Sequence, residues 1–252
     1  MKLVIGGSTG FVAKELIRQG LKNPAITSII ARGRREAPTP SEAGNSASKF
    51  NSIVVEDFEN YSESVKKEIE NADARYSATI IDYRASIFTI RTIAVTATKL
   101  KEIPFEQTVK ISRDYATYAI KALDGLRNKQ ATHLRFIYMS GHFAPRSLAE
   151  VPQQLKTHGT VDAGLLRGEA EGLILKYGRE SNGTVQSCVI KPGAIDHLSR
   201  EKKETPGLPH IKLDDIAAAL LDQTIHGFEK DTLTNDDMIR IGQKVLSGDQ
   251  ES

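Results

Sequence analysis

Cysteine is nearly absent from this chain: Cys188 is the one such residue in 252. A lone cysteine cannot close an intramolecular disulfide or supply a multi-cysteine metal site. A surplus of either charge is missing too. Lys+Arg number 34 against Asp+Glu 32, a net charge of +2, which gives no basic bias toward nucleic acid. No apolar run approaches the roughly 20 residues that span a bilayer. Met1-Lys2-Leu3-Val4-Ile5 passes straight into glycine, leaving no room for the apolar core of a signal peptide. Internal repeats and an interdomain linker are also lacking. What survives is a single-domain cytoplasmic protein, residues 1–252, that acts on a small molecule. Neither nucleic acid nor membrane is expected as a partner, and the oligomeric state is left open.

What the chain does contain is alternation. Hydrophobic residues make up 39% and charged residues 26%, enough to build a core at this length. Strand-like runs at 2–6, 26–31, 52–55, 77–83, 134–140 and 185–191 alternate with helical stripes. Leu3-Val4-Ile5, Ile29-Ile30, Ile53-Val54-Val55 and Ile80-Ile81 are near-continuous apolar runs, as strands buried on both faces should be. Helices are expected from Phe11 to Leu21, loosely over 105–126, and over 163–179 and 213–226. The predicted fold class is therefore α/β, a doubly wound parallel sheet of Rossmann type, with a small C-terminal part for substrate. Residues 36–49 read as a mobile excursion. Residues 141–162 and 194–212 follow the fifth and sixth strands, where loops open at the carboxyl edge of such a sheet. They are the expected substrate lid.

The segment Gly6-Gly7-Ser8-Thr9-Gly10-Phe11-Val12-Ala13 joins the first strand to the first helix. Gly7-x-x-Gly10-x-x-Ala13 has the spacing of a dinucleotide fingerprint: a tight turn, backbone free to approach a pyrophosphate, and close helix packing. Gly7, Ser8, Thr9, Gly10, Phe11 and Val12 would surround the phosphates at the helix's positive end. The second strand ends in Arg32-Gly33-Arg34-Arg35 rather than in an acidic residue. Arg32, Arg34 and Arg35 match a 2′-phosphate in charge and geometry, so NADP(H) is the expected cofactor. A solvated basic loop is the plainer alternative. Asp57 and Phe58 would flank the adenine, or else cap a strand and fill the core.

With these residues in place, the sequence resembles the atypical short-chain dehydrogenase/reductase superfamily. The branch it is most similar to contains the HIV-Tat-interacting-protein-like and NmrA-like NAD(P)-binding proteins. The resemblance rests on the glycine block, on Phe136-Ile137-Tyr138-Met139-Ser140-Gly141, on Arg167-Gly168-Glu169-Ala170-Glu171 and on Ile190-Lys191-Pro192-Gly193-Ala194. Ile211-Lys212-Leu213-Asp214-Asp215-Ile216-Ala217 adds a late strand–helix junction. It implies that Pro192 and Gly193 line the cofactor, that Ser140 orients substrate, and that a tyrosine and a lysine move protons. The last two are replaced: Ala163 stands at the tyrosine position and Arg167 at the lysine position. Alanine has no proton to give, and arginine keeps its own.

Other groups are then needed for proton transfer. If the fourth strand ends near residue 83, the strand ends bring Asp82-Tyr83-Arg84, Ser140-Gly141-His142 and Asp196-His197 toward one cleft, and Arg167, at the lysine position, is a further candidate. His142 is the first candidate, because histidine titrates near neutrality, and Tyr83 is the substitute phenol. An ordinary surface histidine and a strand-end tyrosine are the plain alternatives. The histidines lack paired metal-ligand spacing, so no metal is expected. Cys188 reads as a small buried hydrophobe. Three functions follow from these residues. The first is an NADP(H)-dependent oxidoreductase for a small carbonyl or aromatic metabolite, possible in a natural-product pathway by the resemblance. The others are a non-redox isomerase, dehydratase or cyclase, and a non-catalytic dinucleotide sensor.

Overall fold

The computed structural model describes residues 1–57, 59, 61–66, 83–88 (as backbone), 104–126, 133–197 and 204–248. Its central sheet takes in β1 (Lys2–Gly6), β2 (Ser28–Gly33), β3 (Phe50–Val54), β4 (Tyr83–Phe88), β5 (Leu134–Met139) and β6 (Val185–Lys191). After β6 come a small parallel pair, β7 (Ala194–Asp196) with β8 (His210–Lys212), and then β9 (Thr232–Thr234). The strand order is β3-β2-β1-β4-β5-β6-β9, every neighbouring pair parallel. The chain winds outward from β1 in one direction and from β4 in the other. The reversal falls between β1 and β4, which is where open α/β sheets bind ligands.

Helices cover both faces. They are α1 (Phe11–Lys22), α2 (Phe105–Val109), α3 (Tyr115–Leu126), α4 (Gln153–Thr157), α5 (Val161–Glu180), α6 (Leu213–His226) and α7 (Asn235–Ser247). Alternate strand residues go to opposite cores, as the two-residue period demands. Leu3, Ile5, Ile137, Cys188 and Ile190 pack with α1, α6 and α7. Val4, Phe136, Tyr138 and Val189 pack with Ala119 and Leu123 of α3 and Ala170 and Ile174 of α5. Each such aliphatic side chain taken out of water stabilises the fold by about 1.5–3 kcal/mol.

Four expectations change. The fourth strand lies at Tyr83–Phe88 instead of ending near 83, while residues 77–82 fall outside the described residues. The helical stretch over 105–126 is broken by a π-helical turn at Lys110–Asp114, which shifts the apolar stripe and explains its looseness. Residues 36–49 are an ordered strap rather than a free excursion. A 3₁₀ segment (Ser41–Lys49) lies there with a kink at Gly44, Ala43 packs on the α1-side core, and Ala37 N donates to Ser52 Oγ at 2.8 Å. The strands β7 and β9 and helix α7 were not foreseen, while β8 (His210–Lys212) and the start of α6 fall on the expected late strand–helix junction. Among the described residues, no helix is long and apolar enough to cross a membrane.

Candidate cofactor and active site

The turn between β1 and α1 is built on backbone. Gly7 has φ 76°, and the amides of Gly7 and Ser8 both donate to the Arg32 carbonyl, at 2.8 and 3.0 Å. Gly10 N closes the turn onto Gly7 O at 2.8 Å, and a Cβ at Gly10 would come within 2.9 Å of that oxygen. Gly10 is the N-cap of α1, with no side-chain cap and no acidic residue in the first turn. The amides at the positive end of this helix therefore have no side-chain cap. Beside it, Ser8 is fully buried and its Oγ has no hydrogen-bond partner among the described residues. Arg32 is fully buried too. Its three guanidinium nitrogens have no hydrogen-bond partner among the described residues, and the group lies 5.2 Å from the Tyr61 ring centroid. Val12 is buried, while Thr9 and Phe11 are half-buried at the mouth of the turn.

A second polar group sits at the carboxyl ends of β5 and β6. Glu171 of α5, fully buried, accepts from Ser140 Oγ, from Arg146 Nε at 2.7 Å and from Lys191 Nζ at 3.0 and 3.2 Å. Arg167 is partly buried one turn earlier, and desolvation lowers its pKa from the usual value. Its Nη1 would lie 3.6 Å from a Cβ on Gly141. Tyr138 lies beside it on the core face and donates to Ser112 O at 3.3 Å, within the π-helical turn. Burial pushes its phenol pKa up. His142 is exposed, and its pKa is lowered by desolvation and then by the charge of Lys191.

No family model matches this sequence, and a search of the curated proteins finds no match. Solved structures do match it. A short chain dehydrogenase/reductase from Saccharomyces cerevisiae is 14% identical, with 94% of this chain and 96% of that one covered at TM-score 0.65. The oxidoreductase ylbE from Lactococcus lactis is 16% identical, with both chains covered in full at TM-score 0.56. A UDP-glucuronic acid 4-epimerase from Bacillus cereus, in complex with UDP-glucuronic acid and NAD, is 15% identical, with 100% of this chain and 85% of that one covered at TM-score 0.61. The chain shares the α/β Rossmann-like fold of these structures.

Within that fold, the expected site residues separate into those at the carboxyl edge and those elsewhere. Gly7 to Val12, Ser140, His142, Pro192 and Gly193 all lie at the carboxyl edge. Tyr83 does not. It pairs with Lys2 while Phe88 pairs with Gly6, so Tyr83 starts β4 at the opposite edge, about 13 Å away at strand rise. It cannot serve as the substitute phenol there, and Asp82 lies outside the described residues. Arg34 and Arg35 are exposed, whereas Arg32 faces inward, contrary to a solvated basic loop at that position. Asp57 is exposed and its carboxylate accepts from Glu59 N at 2.8 Å, a strand-end cap. Phe58 lies outside the described residues. Asp196 pairs with His210, Oδ1 to Nδ1 2.9 Å, while the neighbouring His197 ring packs edge-on against Phe11 at 5.5 Å. Burial pushes the Cys188 thiol up to about 12, so it is no nucleophile at neutral pH.

Four residues at the carboxyl edge were not among the sequence's candidates: Glu171, Lys191, Arg146 and Asn235. Asn235 is buried. Its Oδ1 accepts from Gly193 N at 3.0 Å and its Nδ2 donates to His210 O at 3.1 Å, tying the end of β6 to β8. Glu171 carried a signal. It lies on the buried stripe of α5 between Ala170 and Ile174, where a charge needs a partner.

Proposed function

We propose that this protein binds NADP(H) and is an oxidoreductase that interconverts a carbonyl group and its alcohol on a small metabolite. The observation carrying this reading is the uncapped amino end of α1 at the sheet's reversal point, together with two buried groups that have no hydrogen-bond partner among the described residues: the Ser8 hydroxyl in the same turn and the Arg32 guanidinium near the end of β2. Each of these groups lacks an acceptor among those residues, and a dinucleotide phosphate supplies acceptors. Gly7, Ser8, Thr9, Gly10, Phe11 and Val12 would hold the pyrophosphate. Arg32, backed by the exposed Arg34 and Arg35, would take the 2′-phosphate. When bound, the nicotinamide supplies or accepts a hydride. Pro192 and Gly193 would border it, Arg167 would lend positive charge, and a neutral His142 would exchange the proton with the substrate oxygen. Gln154 Nε2 donates to Pro206 O at 3.4 Å, so the loops after β5 and β6 meet at these two residues, and together they would cover the site. A single buried cysteine suits the cytoplasm.

Ala163 at the tyrosine position favours a second reading, a non-redox isomerase or lyase on the same scaffold. Product formed with no change in cofactor absorbance would select it. The binding half is tested at Gly10. Gly10→Ala meets only the tight contact with Gly7 O and should weaken NADPH modestly, whereas Gly10→Asp sets a carboxylate against the pyrophosphate and should abolish binding. Calorimetry showing undiminished NADPH affinity in Gly10→Asp would remove the phosphate-loop assignment.

A further inference from the structure

Ser140 has one hydroxyl proton, and the structure shows where it is committed. The residue follows β5 at its carboxyl end and donates to Glu171 Oε1. The other groups on that carboxylate are Lys191 Nζ and Arg146 Nε. Lysine and arginine only donate, and an ion-paired carboxylate only accepts. The Ser140–Glu171 bond therefore runs one way. Both cations are anchored a second time, Lys191 Nζ on Ala144 O and Arg146 Nη2 on Thr232 Oγ1 at 2.9 Å. The arrangement joins α5, β6, β9 and the loop after β5, so it cannot turn over without moving several elements.

We propose that Glu171 is a positioning residue that makes Ser140 a hydrogen-bond acceptor. The group recognised at the end of β5 is then a donor: the hydroxyl of an alcohol, in preference to the oxygen of the matching ketone. This deepens the functional reading above and rests on it for the place where substrate binds. A ketone oxygen facing Ser140 meets lone pairs with no proton between them, while an alcohol brings its own proton. His142 points the same way, since its lowered pKa leaves a neutral imidazole near neutral pH, able to accept a proton.

Ligand-observed NMR titration of the whole chain, with and without NADP⁺, tests this using two matched pairs: cyclohexanol with cyclohexanone, and 1-phenylethanol with acetophenone. Each alcohol should bind about tenfold more tightly than its ketone, the usual effect of a matched against an unmatched polar contact. Ser140→Ala should bring each pair to within about twofold, as that contact is lost. Glu171→Gln, whose amide can donate to Ser140 Oγ and release its proton, should level or invert the preference. If that variant fails to fold, Ser140→Ala still decides. Ketones binding as tightly as alcohols in the native chain, or a preference that survives Ser140→Ala, overturns the proposal. Failure of NADP⁺ to bind would sink the functional reading instead, and the dinucleotide-free titration would still read the Ser140 preference.

Discussion

Arg32 keeps five N–H donors away from water with no acceptor among the described residues, and an unpaired buried ion costs several kcal/mol. A sequence under pressure for stability alone would place a methionine over Tyr61. Retaining the guanidinium makes sense if an anion arrives. Arg32→Met should therefore leave the ligand-free melting temperature unchanged or higher. It should also weaken NADPH by about 10- to 100-fold, the worth of a charge-assisted hydrogen bond to phosphate, and NADH by much less. Differential scanning fluorimetry and paired calorimetric titrations read the two effects separately. Equal losses for NADPH and NADH would remove Arg32 from the 2′-phosphate. At this scale the sequence was legible for the turn at Gly7 and Gly10, because turn chemistry is local. It was not legible for the inward turn of Arg32, which depends on Tyr61, a residue from beyond the next strand.

Helix α5 shows how an element can hide its constraints. It holds Gly164, Gly168, Gly172 and Gly178, and glycine inside a helix costs about 1 kcal/mol relative to alanine. At Gly168 the cost has a reason: a Cβ there would lie 1.7 Å from Pro145 O, so α5 meets the loop after β5 backbone to backbone. At Gly172 nothing lies within 4 Å. Gly168→Ala should destabilise by about 1–3 kcal/mol or more through overpacking, while Gly172→Ala should stabilise by about 1 kcal/mol. Chemical denaturation of both variants checks this, and similar signs at the two sites would contradict the packing. The position of the fourth strand escaped the sequence for a related reason. Ile87-Phe88 is held in the sheet by pairing with β1 and β5, partners far along the chain that a local reading of apolar runs does not weigh. The three-residue strands β7 to β9 are likewise defined by partners far along the chain. Helix α7 was legible and overlooked: Thr234 and Asp237 form a capping box, and Gly248 ends the helix in the left-handed region.

Across the whole molecule, a doubly wound sheet offers two edges, and the chemistry gathers at one. The glycine turn, Arg32, Ser140, Lys191, His142, Gly193 and Asp196 all sit at, beyond or close to the carboxyl ends of their strands, and Glu171 of α5 joins Ser140 and Lys191 there. The amino ends hold Lys2, Tyr83, Arg135 and Val185. There Arg135 does structural work, donating to Thr224 O and Ile225 O at the end of α6, at 3.0 and 2.7 Å. The sequence showed the edge but misassigned one contributor, Tyr83, because a shift of a few residues along β4 moves a side chain from one edge to the other. This asymmetry predicts the footprint of a ligand. In hydrogen–deuterium exchange, excess NADPH should slow exchange in residues 6–14, 32–36 and 190–197, where amides border the proposed phosphates and nicotinamide. Exchange around residues 83–85 and 134–136 should be unchanged beyond any uniform effect of global stabilisation. Protection concentrated at the amino ends of β4 and β5 would mean that the ligand enters by the other edge. Tyr83, with whatever lies beside it, would then have to be reconsidered as part of the site.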